Sequence, residues 1–303
     1  MGHHHHHHHE ISASMSRIFI FCIALNLLFV GIEAIVGLYF NSLGLLSDAG
    51  HNLSDVFSLV LVLVAFRMEK ASSSPSFTYG YRKATILISL INAIVLLIAV
   101  GGIIIECIYK LKNPQPVSGM AISWTAGTGI LINGLTTWLL MRGSKQDLNV
   151  KGAYLHMLMD TLVSVGVVFS GIIISYSGWT WVDPAIGILL AVIIMVSTYN
   201  LLKESLFMTI DAVPSSVNRN LILERLNAAS SLKGWHHLHI WAISTTECAA
   251  TIHIVTESLE CMEKAKEEVR EIFHNAGVNH CTIETELSGT ECKAFDCCCH
   301  DNH

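Results

Sequence analysis

The sequence predicts an α-helical membrane protein with six transmembrane helices, followed by a small α+β domain of element order α-β-β-α-β. Three observations predict it. Mean hydropathy is +0.52 with only 14% charged residues, a membrane protein's composition. Six apolar runs each approach the ~20 residues a helix needs to cross ~30 Å of hydrocarbon. After Lys203 the chain changes character, becoming acidic and soluble-looking. Residues 1–14, with seven consecutive histidines, read as an expression tag, so native sequence begins near Met15 and ten of the 17 histidines remain. The domains are then 15–203 (membrane), 204–287 (α+β) and 288–303 (a Cys-rich tail).

The apolar runs are 18–40, 43–66, 84–107, 117–141, 152–176 and 184–202. In lipid the backbone must satisfy its own hydrogen bonds, which makes each run a helix. The first is too long for a cleavable signal and lacks a small-residue cleavage pattern. Basic residues cluster at 67–83 and 142–151 and flank the runs at Arg17 and Lys203. The opposite side carries only Lys110 and Lys112. The positive-inside rule therefore puts both termini in the cytoplasm, and a bacterial protein of this kind sits in the inner (plasma) membrane. Tyr176, Trp179 and Trp181 mark the outer interface. Gly31, Gly37, Gly101 and Gly102 read as close-packing positions, and Asn26, Glu33, Asn92 and Asn133 as interhelical hydrogen-bonding residues.

In the soluble part Ser215 or Ser216 caps a helix to about 229. Strands at 235–244 and 249–255 flank a turn at 245–247. A charged helix, 259–276, stops at Gly277, and a strand at 281–287 closes the domain. This order fits a ferredoxin/metallochaperone-like sandwich with its helices on one sheet face. Nine cysteines form no disulfide framework; Cys22 and Cys107 lie in apolar runs, and five fall at or after Cys281, which suggests soft-metal chemistry or a reduced compartment. There is no nucleic-acid signature.

The candidate chemistry lies inside the apolar runs. His51 and Asp55 stand one helical turn apart, and the spacing recurs at His156 and Asp160. A carboxylate in the bilayer interior costs roughly 2.5–3.5 kcal/mol on insertion scales. Two imidazoles with two carboxylates suit tetrahedral Zn²⁺ and balance its charge, with Co²⁺, Cd²⁺ and Fe²⁺ as competitors. All four groups also titrate, so protons compete with the metal and can empty the site. The pattern fits metal/H⁺ antiport by alternating access, with the second and fifth helices rocking around the site. A polar patch that only packs the bundle is the plainer alternative for either pair. Asp48 is either a relay at the mouth of the site or an interfacial helix-start residue. No HExxH motif, P-loop or signalling output module is present, which argues against a metalloenzyme, an ATP-driven pump and a membrane metal sensor.

At these residues the chain resembles the cation diffusion facilitator family, in its zinc-transporting CzcD/ZnT-like branch. The motifs are Ser42-Leu-Gly-Leu-Leu-Ser-Asp-Ala-Gly-His-Asn-Leu-Ser-Asp55, Phe77-Thr-Tyr-Gly-Tyr-Arg82 and His156-Met-Leu-Met-Asp-Thr-Leu-Val-Ser-Val-Gly166. Trp181-Val-Asp-Pro184 and His236-His-Leu-His-Ile-Trp-Ala-Ile243 complete the set. The resemblance implies a homodimer with a cytoplasmic C-terminal domain that moves Zn²⁺ out of the cytoplasm in exchange for H⁺. It implies transport ligands at His51, Asp55, His156 and Asp160, and His51 resembles the zinc-selective members. The family's His-rich loop between helices four and five is absent, since 143–147 contains no histidine. The resemblance also implies a dimer-stabilising Zn²⁺ on His236, His253 and Glu286. Where the usual motif has Asp or Ser this chain has His237, which adds a ligand or changes the site. By strand alternation His237 and His239 face away from His236. In the tail Cys292 with Cys297 or Cys299 could chelate a second ion, as in similar zinc-transporter tails; the alternative is an oxidation-prone, unligated tail.

Overall fold

The computed structural model describes residues 6–39, 43–113, 119–177, 179 and 181–290. The chain divides into two compact units, Met1–Ser205 and Leu206–His303.

The first unit is helical: α1 (His6–Tyr39), α2 (Leu43–Glu69), α3 (Lys83–Lys112), α4 (Gly119–Leu140), α5 (Leu148–Ser177) and α6 (Val182–Thr209, ending just past the unit boundary). Among the described residues, four stretches are long and apolar enough to cross a membrane: Met15–Val36, Lys83–Lys112, Leu148–Ser170 and Pro184–Thr209. Their outward faces carry large exposed apolar side chains such as Leu28, Ile98 and Leu189, a surface suited to lipid rather than water. Helix α2 falls outside that set and carries Asp55, Arg67 and Glu69; of α4, side chains are described only from Gly127 onward.

Phe19 and Cys22 of α1, Leu59, Val62 and Phe66 of α2, and Ala153 and Met157 of α5 form one buried cluster. That cluster holds α2 against α5 at the level of the two polar pairs. Helix α5 starts where Asp147 caps it, its Oδ1 accepting from Asn149 N at 2.7 Å and Val150 N at 3.1 Å. A carboxylate cap satisfies amides that the first turn would otherwise leave open, and suits the positive end of the helix. The α2–α3 connection turns at Gly80, where φ is +68° and a Cβ would lie 2.9 Å from the Ala71 carbonyl oxygen.

Three of the four expected close-packing glycines are not closely packed, and the surroundings of Gly37 lie outside the described residues. Gly31, Gly101 and Gly102 face open space. Tight approaches occur instead at Gly143, against the Met15 side chain, at Gly152, where a Cβ would come 2.5 Å from Asn92 Nδ2, at Gly166, 2.9 Å from Ile186 Cγ2, and at Gly187, 2.5 Å from Cys107 Sγ. Glycines 31, 101 and 102 lie on exposed or half-exposed helix faces, which a motif of small residues alone does not reveal. Two of the four polar positions bond between helices: Asn26 Nδ2 donates to Thr136 Oγ1 at 3.2 Å, and Glu33 Oε2 accepts from Asn52 Nδ2 at 2.7 Å. Asn92 Nδ2 and Asn133 Oδ1 are buried without a hydrogen-bond partner.

The second unit contains α7 (Arg219–Ala228), β1 (Gly234–Ala242), β2 (Cys248–Thr256), α8 (Met262–Asn275) and β3 (His280–Leu287). The cap of α7 is Asn218, whose Oδ1 accepts from Leu221 N at 3.1 Å, rather than either serine. Helix α8 ends at Gly277, at φ +87°. The sheet order is β1-β2-β3, with β1 antiparallel and β3 parallel to β2. Ala250, Ile252 and Ile254 of β2 pack with Ile222 and Leu226 of α7 and with Val269 and Phe273 of α8. Cys281 and Ile283 of β3 pack on the same cluster. The opposite face of the sheet is therefore free to carry polar side chains, and it carries histidines and glutamates.

Candidate metal centres

The first centre lies between α2 and α5. Asp55, His156 and Asp160 are 1%, 4% and 8% exposed. His156 Nε2 stands 2.6 Å from Asp55 Oδ1 and 3.8 Å from Asp160 Oδ2. One donor atom from each residue lies within 4.8 Å of the other two, a spacing that can hold a metal ion. Donors on one tetrahedral Zn²⁺ stand about 3.3 Å apart, so His156 and Asp55 must part and His156 and Asp160 must close to receive the ion. His51 precedes Asp55 by one turn of α2; its side chain and that of Asp48 lie outside the described residues. Asn52, which the sequence reading passed over, is 7% exposed and tethers this turn of α2 to Glu33 of α1. Its position beside His51 was the available signal.

The second centre lies on the outer face of the C-terminal sheet. His236 of β1 pairs in register with His253 of β2, and Glu286 lies on β3. Glu286 Oε1 is 2.9 Å from His253 Nδ1 and 3.4 Å from His236 Nε2. His236 Nε2 is sealed from solvent and has no hydrogen-bond partner. A buried nitrogen in that state, converging with an imidazole and a carboxylate at tetrahedral donor spacing, fits Zn²⁺. On the far side of its ring, His253 Nε2 meets Glu284 Oε2 at 3.3 Å. Glu284, also passed over in the sequence, is placed to orient the ring from behind, as metal-bound histidines are commonly held.

His237 and His239 do not face away from His236. The β1–β2 register shifts between His236 and His239, and His237 adopts φ +52°. This bulge inserts a residue and changes the phase of the strand. Strict alternation back from Ile240 and Leu238, which both pack on the core, would turn His236 inward. The bulge instead puts Trp235 against the core and turns His236 and His237 together to the outer face. Their rings lie 5.6 Å apart, and the His237 ring is 5.1 Å from that of His253. Desolvation and the neighbouring imidazoles of His253, His236 and His239 lower the pKa of His237 from its ordinary value, favouring the neutral form that a metal requires.

The cysteines divide differently. Cys281 belongs to the core, and burial raises its thiol pKa to about 11, so it offers no thiolate. Cys292, Cys297 and Cys299 lie outside the described residues.

Comparison with known proteins accounts for both halves of the molecule. The family model of the cation efflux transmembrane domain matches residues 19–208. The cadmium, cobalt and zinc/H⁺-K⁺ antiporter of Bacillus subtilis is 35% identical over 260 residues, 84% of each chain. The metal cation efflux system protein CzcD of Cupriavidus metallidurans is 33% identical, covering 92% of this chain and 89% of its own. The zinc transporter ZitB of Escherichia coli is 30% identical, covering 89% and 86%. These relatives are named as transporters and not as enzymes. The chain is an integral membrane protein of the cation efflux family, the cation diffusion facilitators.

Proposed function

We propose that this protein is a secondary-active Zn²⁺/H⁺ antiporter that exports Zn²⁺ from the cytoplasm by alternating access. The observation that carries the reading is the 2.6 Å approach of His156 Nε2 to Asp55 Oδ1 inside the helical unit. Two bare lone pairs at that distance repel, so a proton sits between them. Zn²⁺ binds the same two atoms, and it can do so only as that proton leaves. A neutral imidazole could simply pass its Nε2 proton to Nδ1, so in the antiport reading the empty site holds one proton more than a neutral imidazole beside a carboxylate; Zn²⁺ displaces that extra proton, and reprotonation from the opposite side expels the ion. His51 and Asp160 complete a donor set of two imidazoles and two carboxylates whose charge cancels that of the ion. Neutralising the ion matters because an uncompensated charge in the bilayer costs several kcal/mol.

In this reading all six helices of the first unit cross the membrane, with α2 and α4 included, and both termini are cytoplasmic. The stacked pair Trp179 and Trp181, both exposed, supports an interfacial position for the α5–α6 turn. The C-terminal unit is the cytoplasmic domain of a homodimer. It holds a resident Zn²⁺ on His236, His253 and Glu286, which clamps three strands together and supports the dimer. Asp48 serves as a relay towards the transport site, and the tail cysteines Cys292, Cys297 and Cys299 take a second cytoplasmic ion.

The test is zinc uptake into proteoliposomes under an imposed pH gradient, with wild type beside Asp160→Ala. The expected result is uptake that follows the gradient and disappears in the variant. Equal flux in the two proteins, or flux indifferent to the gradient, overturns antiport through this site.

A further inference from the structure

We propose that His237 is a fourth protein ligand of the C-terminal zinc site, so that one chain closes the coordination shell by itself with three imidazoles and one carboxylate. The proposal rests on the reading that His236, His253 and Glu286 hold Zn²⁺. It adds a residue that the three-strand set does not include.

Three observations carry it. The first is ring spacing. With Zn–N bonds of about 2.0–2.1 Å and about 1.1 Å from ring nitrogen to ring centre, two imidazoles on one tetrahedral ion have centroids about 5.2 Å apart. The three pairs here are separated by 5.2 Å (His236–His253), 5.1 Å (His237–His253) and 5.6 Å (His236–His237). His239 is 6.1 Å from His237 and belongs to a different part of the face. Three rings at that mutual spacing on one face are not what a row of solvated strand histidines produces, because neighbouring positions on a regular strand point to opposite faces. The donor atoms already within 4.8 Å of one another are those of His236, His253 and Glu286, and His237 joins them by turning its ring.

The second observation is the backbone. His237 holds φ +52°, a left-handed conformation that costs a residue with a Cβ some strain. Among the described residues the only other one with a side chain in that region is Asp211. The strained residue is the one that turns a second imidazole to the outer face, and the register shift falls at the same place. The third is the sealed His236 Nε2 without a hydrogen-bond partner, beside Glu286 Oε1, on which His253 Nδ1 also converges.

A site with three protein ligands keeps an open position for water or exchange, whereas four ligands make a closed, structural site. Closure within one chain means the ion needs no ligand from the tail or from a second copy to stay bound. It also separates the resident ion chemically from the transported one.

The experiment uses the full-length chain with Zn²⁺ or Co²⁺ alone as probe. Wild type is compared with His237→Gly, His237→Asn and His236→Ala, by chelator competition and by Co²⁺ difference spectra. Glycine and asparagine both tolerate the left-handed position, so metal-free melting should be at least as high as in wild type. The expected result is that both His237 variants lose more than the roughly 10–100-fold that an outer-shell partner costs. The visible bands of Co²⁺ at this site should shift to longer wavelength as a water oxygen takes the place of the imidazole nitrogen. If affinity and spectrum are unchanged in the His237 variants, or the loss stays within the outer-shell range, while His236→Ala loses the ion, the three-residue site stands and the His237 proposal falls. If His236→Ala also binds as wild type does, the three-residue reading falls and takes the proposal with it.

Discussion

The two donor clusters use similar side chains on opposite kinds of scaffold. Asp55 and His156–Asp160 come from two packed helices whose backbone hydrogen bonds are internal to each helix. Such helices can rock past one another without breaking a single backbone bond. His236, His253 and Glu286 come from three neighbouring strands whose hydrogen bonds run between the elements. Those strands cannot part without unzipping the ladder. Charge differs too: with His51 the proposed helical set has two carboxylates to two imidazoles, whereas the sheet trio has one carboxylate to two imidazoles. Donors on helices that can slide suit an ion that must leave; donors on strands tied by a ladder suit one that stays.

The largest effect that tests this contrast is on transport. Asp55→Ala and Asp160→Ala should each abolish proteoliposome zinc flux, whereas His253→Ala should leave it measurable. Either change removes one donor and half of the charge that neutralises the ion, and an uncompensated charge in the bilayer costs several kcal/mol. Normal flux in both Asp variants, or complete loss in His253→Ala alone, would invert the assignment of the two sites.

Second in size is metal-dependent stability. A resident ion at ~1,000 times its dissociation constant stabilises the folded state by ~4 kcal/mol. Chelation should therefore lower the melting temperature of wild type and have little effect on His253→Ala. The Asp160→Ala protein should respond to the chelator as wild type does. Equal chelator responses in wild type and His253→Ala would show that the sheet does not hold the stabilising ion.

Smaller is selectivity. His51→Asp replaces a nitrogen donor with a carboxylate that can bind through two oxygens, which suits the larger Cd²⁺. The Cd²⁺/Zn²⁺ transport ratio should rise by roughly tenfold, equivalent to about 1.4 kcal/mol. An unchanged ratio would remove His51 from the set that chooses the ion.

How far these regions were legible in the sequence also differs between them. The helical pairs were legible because helix period and HxxxD spacing coincide, and the structure brings Asp55, His156 and Asp160 together. The packing glycines were not, because close approach depends on which helix faces which: Gly152 meets Asn92 and Gly187 meets Cys107, from distant parts of the chain. In the sheet, elements fell within a few residues of expectation, but the cap of α7 moved from the serines to Asn218. The orientation of His237 was illegible by alternation, because one bulge inverts the phase of everything before it. Glu284 was hidden for a similar reason: its role depends on the β2–β3 register, which pairs it with His253.

The smallest prediction asks whether the two regions are energetically separable. Asn218→Ala removes the side chain that accepts from Leu221 N at the start of α7 and belongs to neither donor set. Loss of such a cap costs about 1 kcal/mol. Helix α7 covers the sheet core through Ile222 and Leu226, so the loss falls on the C-terminal unit. Zinc flux at saturating Zn²⁺ should stay as in wild type, while the melting of the C-terminal unit moves down by a few degrees, as expected for a ~1 kcal/mol change in a domain of this size. If flux falls in proportion to that small destabilisation, the sheet does more than retain an ion, and the fixed site sets the pace of the mobile one.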